Sequence, residues 1–115
     1  MFAVESDSGV FAPAHMGFTG SDAAKKMMAE IFTLLTPLGM QDIVGGGGGA
    51  DIGPIAALGK VPMLAYSGDS TKYFTIHHTP ADTIDRIDPA EVSKAAASLA
   101  AVIYVVADMP TSLPK

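Results

Sequence analysis

The sequence predicts an α/β domain with a mainly parallel sheet, and three observations carry that prediction. Short β-prone runs alternate with segments of helical period, as in α/β layer structures. Apolar residues make up 49% of the chain and charged residues only 17%, a globular composition. At 115 residues the chain suits one small domain with a real core, spanning 1–115.

Each element has a local reason. FAVE, Phe2 to Glu5, is apolar and β-prone and runs into the polar ESDSG, ending at a turn-forming Gly9. It reads as a strand whose end carries Glu5 and Asp7. A chain whose first residues already form a core strand is expected to be a fragment. Pro13, Gly17 and Gly20 then mark a loop. Ser21 and Asp22 start a helix in which Ala24, Met27, Met28, Ile31, Leu34 and Leu35 recur at helical spacing, and Pro37 and Gly39 stop it. QDIV at 41–44 predicts a short strand before five glycines, Gly45 to Gly49. Asp51 to Leu58 reads as a short helix, VPMLAY at 61–66 as a strand, GDSTK as a polar loop and YFTIH at 73–77 as a further β-prone run. The last element is the clearest. Asp88, Pro89 and Glu91 supply an N-cap, a first-turn proline and a capping-box acid, and Val92 to Val106 follow with helical period.

Charge and composition exclude several functions. A net charge of −5 leaves no basic field for phosphates, so neither nucleic acid nor an anionic membrane is expected as a partner. No apolar run reads as long enough to span a bilayer, and the first residues lack the basic lead of a signal peptide. Without cysteine, any metal must be held by His, Asp or Glu.

The glycine run invites a phosphate-loop reading, which spacing tests. Gly53, Gly59 and Lys60 fail as a P-loop, because five residues separate the glycines and Val61 stands where Ser or Thr would hold magnesium. Gly45, Gly47 and Ala50 fit a loose GxGxxA, with Asp69 about 20 residues on as a ribose-binding acid. Any poly-glycine run satisfies half of that pattern. The plainer reading is a mobile loop rimming a site.

Two stretches carry candidate chemistry. Asp7 lies at the carboxyl end of a strand, where open α/β sheets place ligands and where turn-forming aspartates also occur. His77 and His78 form an adjacent pair in a polar turn, with Asp82 nearby, a reasonable set of metal donors or a surface His pair. Read as strand residues, the two histidines point to opposite faces, so one at most shares a site with Asp7. The same alternation puts Glu5 and Asp7 on one face.

ESDSGVFAP, GGADIGPIAALGKVP, YFTIHHTPADT and the closing helix with YVVADMP, in this order, resemble the C-terminal part of the zinc-dependent aminopeptidase family. The likeness runs from Phe2 to Pro114. It implies a partial three-layer sandwich with a mainly parallel sheet flanked by helices, peptide substrates, and a di-zinc exopeptidase of aminopeptidase or dipeptidase type. It further implies that Asp7 is a ligand of one zinc and His78, which opens the His-x-x-x-Asp-Thr motif, of the other. His77 stands where some relatives carry a tyrosine, which implies a contact to the oxyanion, against the plain alternative of a strand residue facing the sheet. Asp82 and Thr83 would fix the turn that presents His78. Asp51 matches an acidic position near the substrate pocket, although Ile52 stands where many relatives have a histidine.

Four functional residues of the family have no match: a Glu-Glu pair containing the general base, a further His and the bridging Asp. Glu5, Glu30 and Glu91 are the only glutamates, and none sits in such a pair. The chain alone is therefore expected to bind zinc weakly, to hydrolyse nothing and, with apolar surface left bare, to self-associate as a homo-oligomer. Relatives are mostly exported, which implies a secreted or periplasmic parent. The competing readings are a non-catalytic binding or dimerisation module using the Ala-rich helix, and a nucleotide-binding module using the glycine run.

Overall fold

A computed structural model describes residues 1–8 and 10–115, so the turn expected at Gly9 lies outside the described residues. The chain forms β1 (Ala3–Ser8), β2 (Pro13–Thr19), α1 (Asp22–Phe32), β3 (Asp42–Gly45), β4 (Met63–Gly68), α2 (Ser70–Ile76) and α3 (Pro89–Asp108). Short 3-10 segments cover Thr33–Leu38, Gly53–Leu58 and Ile84–Arg86. The sheet order is β1-β4-β2-β3. β1 with β4 and β2 with β3 run parallel, whereas β2 and β4 are antiparallel. The predicted α/β class holds, with a mixed sheet.

Two elements differ from expectation. β2 occupies the stretch that its Pro and Gly residues mark as a loop. Pro13 sits at its first residue, where a missing N–H is tolerated, and Met16 and Phe18 alternate inward. Gly17 pairs with Ala65 and Val44 within the strand, and it is glycine because a Cβ there would lie 2.6 Å from the Gly46 carbonyl oxygen. The second difference is α2, which replaces the strand expected at 73–77. Asp69 caps it, accepting from the Thr71 N–H at 2.9 Å, and four residues of the expected polar loop become cap and first turn. That role accounts for Asp69 without a ribose.

The main core lies on one face of the sheet. Register places Val4, Leu64, Tyr66, Met16 and Phe18 on it, and α1 and α3 cover them. In α1, Ser21 accepts from the Ala24 N–H, and Ala24, Met28, Ile31 and Phe32 form the buried stripe. In α3, Asp88 accepts from the Ala90 N–H at 2.8 Å, and Ala95, Ser98 and Val102 form a narrow small-residue stripe that permits close approach. Ser98 satisfies its hydroxyl on the Lys94 carbonyl at 2.8 Å. Glu91 accepts from Lys72 at 2.9 Å, tying α2 to the start of α3 and raising the Lys72 pKa. Tyr66, buried at the centre, donates to the Phe11 carbonyl at 2.7 Å; burial, and secondarily Glu91, pushes its phenol up to about 12. By length and composition α3 is a helix that could cross a membrane, contrary to the sequence expectation. Its buried stripe packs on the sheet core.

The glycine run is laid across the other face. Gly47 is buried, and its carbonyl accepts from Thr19 Oγ1 at 3.0 Å. A Cβ on Gly47 would run into Met63 and the backbone of Phe18 and Thr19, and one on Gly49 would strike the Glu5 carboxylate. The run is thus docked, in place of the free rim expected from its composition; close approach explains Gly47 and Gly49, and positive φ explains Gly46 and Gly48, without a phosphate.

Candidate functional site

Asp7 reaches the site through an irregularity in β1. Glu5 pairs with Ala65 and Ser8 with Ser67, so β1 spends three steps where β4 spends two. Such a bulge re-aims side chains. The alternation expected to put Glu5 and Asp7 on one face is broken: Glu5 is buried and Asp7 is exposed.

The histidines are arranged by α2. His77 closes the helix, donating its N–H to the Tyr73 carbonyl at 2.9 Å. His78 follows with φ +56°, the left-handed region that non-glycine residues seldom occupy. This turn overrides the strand geometry, and the two imidazoles stack with centroids 3.8 Å apart and planes 23° from parallel, where alternation predicts opposite faces. Tyr73, one helical turn before His77, stacks on it at 4.4 Å. Its hydroxyl lies 3.5 Å from both His77 Nε2 and the Asp7 carbonyl oxygen. Phe11 meets the other edge of Tyr73 at 6.5 Å. A ladder of rings therefore runs from the residues after β1 to His78.

Asp7, His77 and Asp82 line one cavity of about 170 Å³, together with Tyr73 and the apolar Val10, Phe11, Ile76 and Ile87. His78 stands beside this cavity, outside its lining, stacked on His77. Asp82 enters the turn through its main chain, with its N–H on the Thr79 carbonyl at 3.0 Å, and its residue faces the cavity. The side-chain bonds that hold this turn come mainly from Thr79, which donates to the Ile76 carbonyl at 2.7 Å and accepts from the Ala81 N–H at 3.1 Å. Asp51 is exposed in the glycine segment and lines no part of this cavity. A larger cavity, about 320 Å³, lies at Thr19, Ser21, Lys60 and Met63, with no His, Asp or Glu in its lining.

Two contributors are absent from the sequence reading: Tyr73 and Thr79. Tyr73 is legible once Asp69 is recognised as an N-cap, because the helix then places residues 73 and 77 on one face.

The donor chemistry is that of zinc, carboxylate and imidazole, but a zinc site takes three or four protein ligands. Among the described residues no three His, Asp or Glu side chains converge to hold a metal ion. The residues of this chain do not by themselves fit a zinc ion.

The fold and these motifs are similar to those of one class of protein, the metallopeptidases. The structure is similar to the crystal structure of a Peptidase M28 precursor from Shewanella amazonensis SB2B, with a TM-score of 0.86 and 29% identity, covering 98% of this chain and 26% of that one. No family model matches the sequence. The sequence narrows the class: it is 43% identical over 112 residues to carboxypeptidase Q of Mus musculus and 42% to that of Homo sapiens. It is 38% identical to carboxypeptidase Q of Xenopus laevis, and each match covers 97% of this chain and 24% of the relative. The chain is a carboxypeptidase Q-like segment of a metallopeptidase, spanning about a quarter of the length of the curated relatives it matches.

Proposed function

We propose that the chain is the C-terminal portion of the catalytic domain of a di-zinc exopeptidase that hydrolyses peptide bonds. It would contribute Asp7 to one zinc and His78 to the other. The observation that carries this reading is the meeting of Asp7, His77 and Asp82 in one cavity, with His78 stacked on His77 beside it. When two zinc ions are bound in a complete enzyme, they supply an activated water and polarise the scissile carbonyl. His77 is suited to donate to the oxyanion, Asp82 to steady the turn beside His78, and Asp51 to meet substrate from the glycine segment. With one ligand per metal and no general base, the isolated chain is inactive under this reading.

Zinc titration by calorimetry tests the assignment on this chain in a buffer that does not chelate. Binding is expected to be weak, and weaker still in Asp7→Ala and His78→Ala. Tight binding lost in both variants would mean that the chain completes a site by itself, across a dimer, and would overturn the half-site reading. Weak binding unchanged by either variant would overturn the ligand assignment. A non-catalytic dimerisation module is the second reading, favoured by the exposed Ile103 and Tyr104 on α3. Unlike the first, it predicts no dependence on Asp7 or His78.

A further inference from the structure

Glu5 is only 8% exposed, yet among the described residues its carboxylate has one hydrogen bond. Oε2 accepts from the Ile52 N–H at 3.1 Å. Oε1 is fully buried and has no hydrogen-bond partner among the described residues. It is pressed against Gly49, where a Cβ would collide with it. Burying a carboxylate with half its acceptors unmet is costly, so a residue kept in that state points to a task beyond packing. Its surroundings indicate the task. Glu5 lies two residues before Asp7 on β1, and its partner Ile52 lies one residue after Asp51. One side chain thus joins the strand end that bears the first candidate ligand to the segment that bears the candidate substrate contact.

We propose that Glu5 is a positioning residue: its carboxylate clamps the Gly49–Ile52 segment onto β1 and so fixes Asp51 relative to Asp7. The functional meaning rests on the site reading above, whereas the clamp itself does not. Gly49 is the counterpart of the clamp. Its backbone is outside the left-handed region, so alanine is conformationally allowed there, and the three atoms nearest to its Cβ all belong to Glu5. The effect of a side chain at 49 must then depend on the side chain at 5.

Amide hydrogen exchange and urea unfolding of the whole 115-residue chain test this. In Glu5→Ala the Ile52 and Gly53 amides are expected to exchange about ten-fold faster or more, the effect of losing one buried hydrogen bond, with β2–β4 protection unchanged. Glu5→Gln, which keeps a carbonyl acceptor, is expected to restore most of the Ile52 protection. Gly49→Ala should lower the urea midpoint in the parent chain and leave it level or raised in the Glu5→Ala background. Should Glu5→Ala not fold, the same coupling is read from Gly49→Ala alone, which should speed exchange at Ile52. Unchanged Ile52 exchange in Glu5→Ala, or in Gly49→Ala where that variant stands in, would overturn the clamp, as would an equal cost of Gly49→Ala in both backgrounds. Zinc titration is separate: loss of dependence on Asp7 and His78 sinks the site reading and leaves the clamp standing.

Discussion

His78 shows at a single residue how the site departs from what is stable. Its φ of +56° puts a side chain where glycine is at ease and other residues are strained. Stacking on His77 at 3.8 Å and the Thr79 bonds across the turn hold it there. Two replacements separate backbone from imidazole. His78→Ala and His78→Gly both remove the candidate ligand, but only glycine relieves the strain, so His78→Gly is expected to be more stable than His78→Ala by on the order of 1 kcal/mol. Urea unfolding of the two variants measures the difference. Equal midpoints, or a less stable glycine variant, would show that the left-handed turn is not strained. Nothing in the HHTPADT string signals this conformation, because the turn residues Thr79 and Pro80 fit several turn types. The sequence identifies the residues and leaves their orientation open.

At the scale of elements, α2 is the hinge of the site, since its seven residues carry Tyr73 and its end carries His77. A helix this short cannot stand on propensity and depends on its cap and its neighbours. Hydrogen bonds from Thr71 to the Asp69 carboxylate hold its pKa below the usual aspartate range. The charged carboxylate favours the folded form above the unfolded pKa, and this contribution is lost as pH falls through the lower folded value. Asp69→Ala is therefore expected to speed amide exchange in Tyr73 and His77 selectively, with α1 and α3 unaffected. Asp69→Asn should retain most of the protection and abolish its dependence on pH below about 4. Uniform loosening of the whole molecule in Asp69→Ala would refute a local role. The same cap explains what the sequence hid. Tyr73 to His77 contains β-prone residues, and their local preference is outvoted by Asp69 at the start and by the Lys72–Glu91 pair across to α3. β2 was concealed for the converse reason, its glycine being required by the segment that crosses it. α1 and α3 were legible because cap and apolar period agree along their length.

The whole molecule is a slab. Its principal extents are 43 × 32 × 20 Å, and the smallest is close to one helix layer on one sheet layer. Helices α1 and α3 cover one face, and on the other the glycine run lies thinly over β1, β4 and β2. The accessible surface is 6737 Å², against about 5,900 Å² expected for a compact monomer of this mass. The excess is close to what one partner buries in an interface of ordinary size, about 800 Å². The exposed large apolar side chains include Phe74 and Ile84 near the candidate site, Ile103 and Tyr104 on α3, and Met1, Leu34, Val44 and Leu58 elsewhere. Separate patches of this kind favour association of copies of the chain. Sedimentation velocity is expected to show a mass that rises with concentration. The patches can be separated by paired replacements, Phe74→Ser with Ile84→Ser against Ile103→Glu with Tyr104→Glu. If α3 is the contact, the second pair alone should return the monomer and leave weak zinc binding unchanged; if the site-side patch is the contact, the first pair should do so. A monomer at all concentrations in the unaltered chain would mean that the bare surface is tolerated in solution, and the dimerisation reading would fall with it.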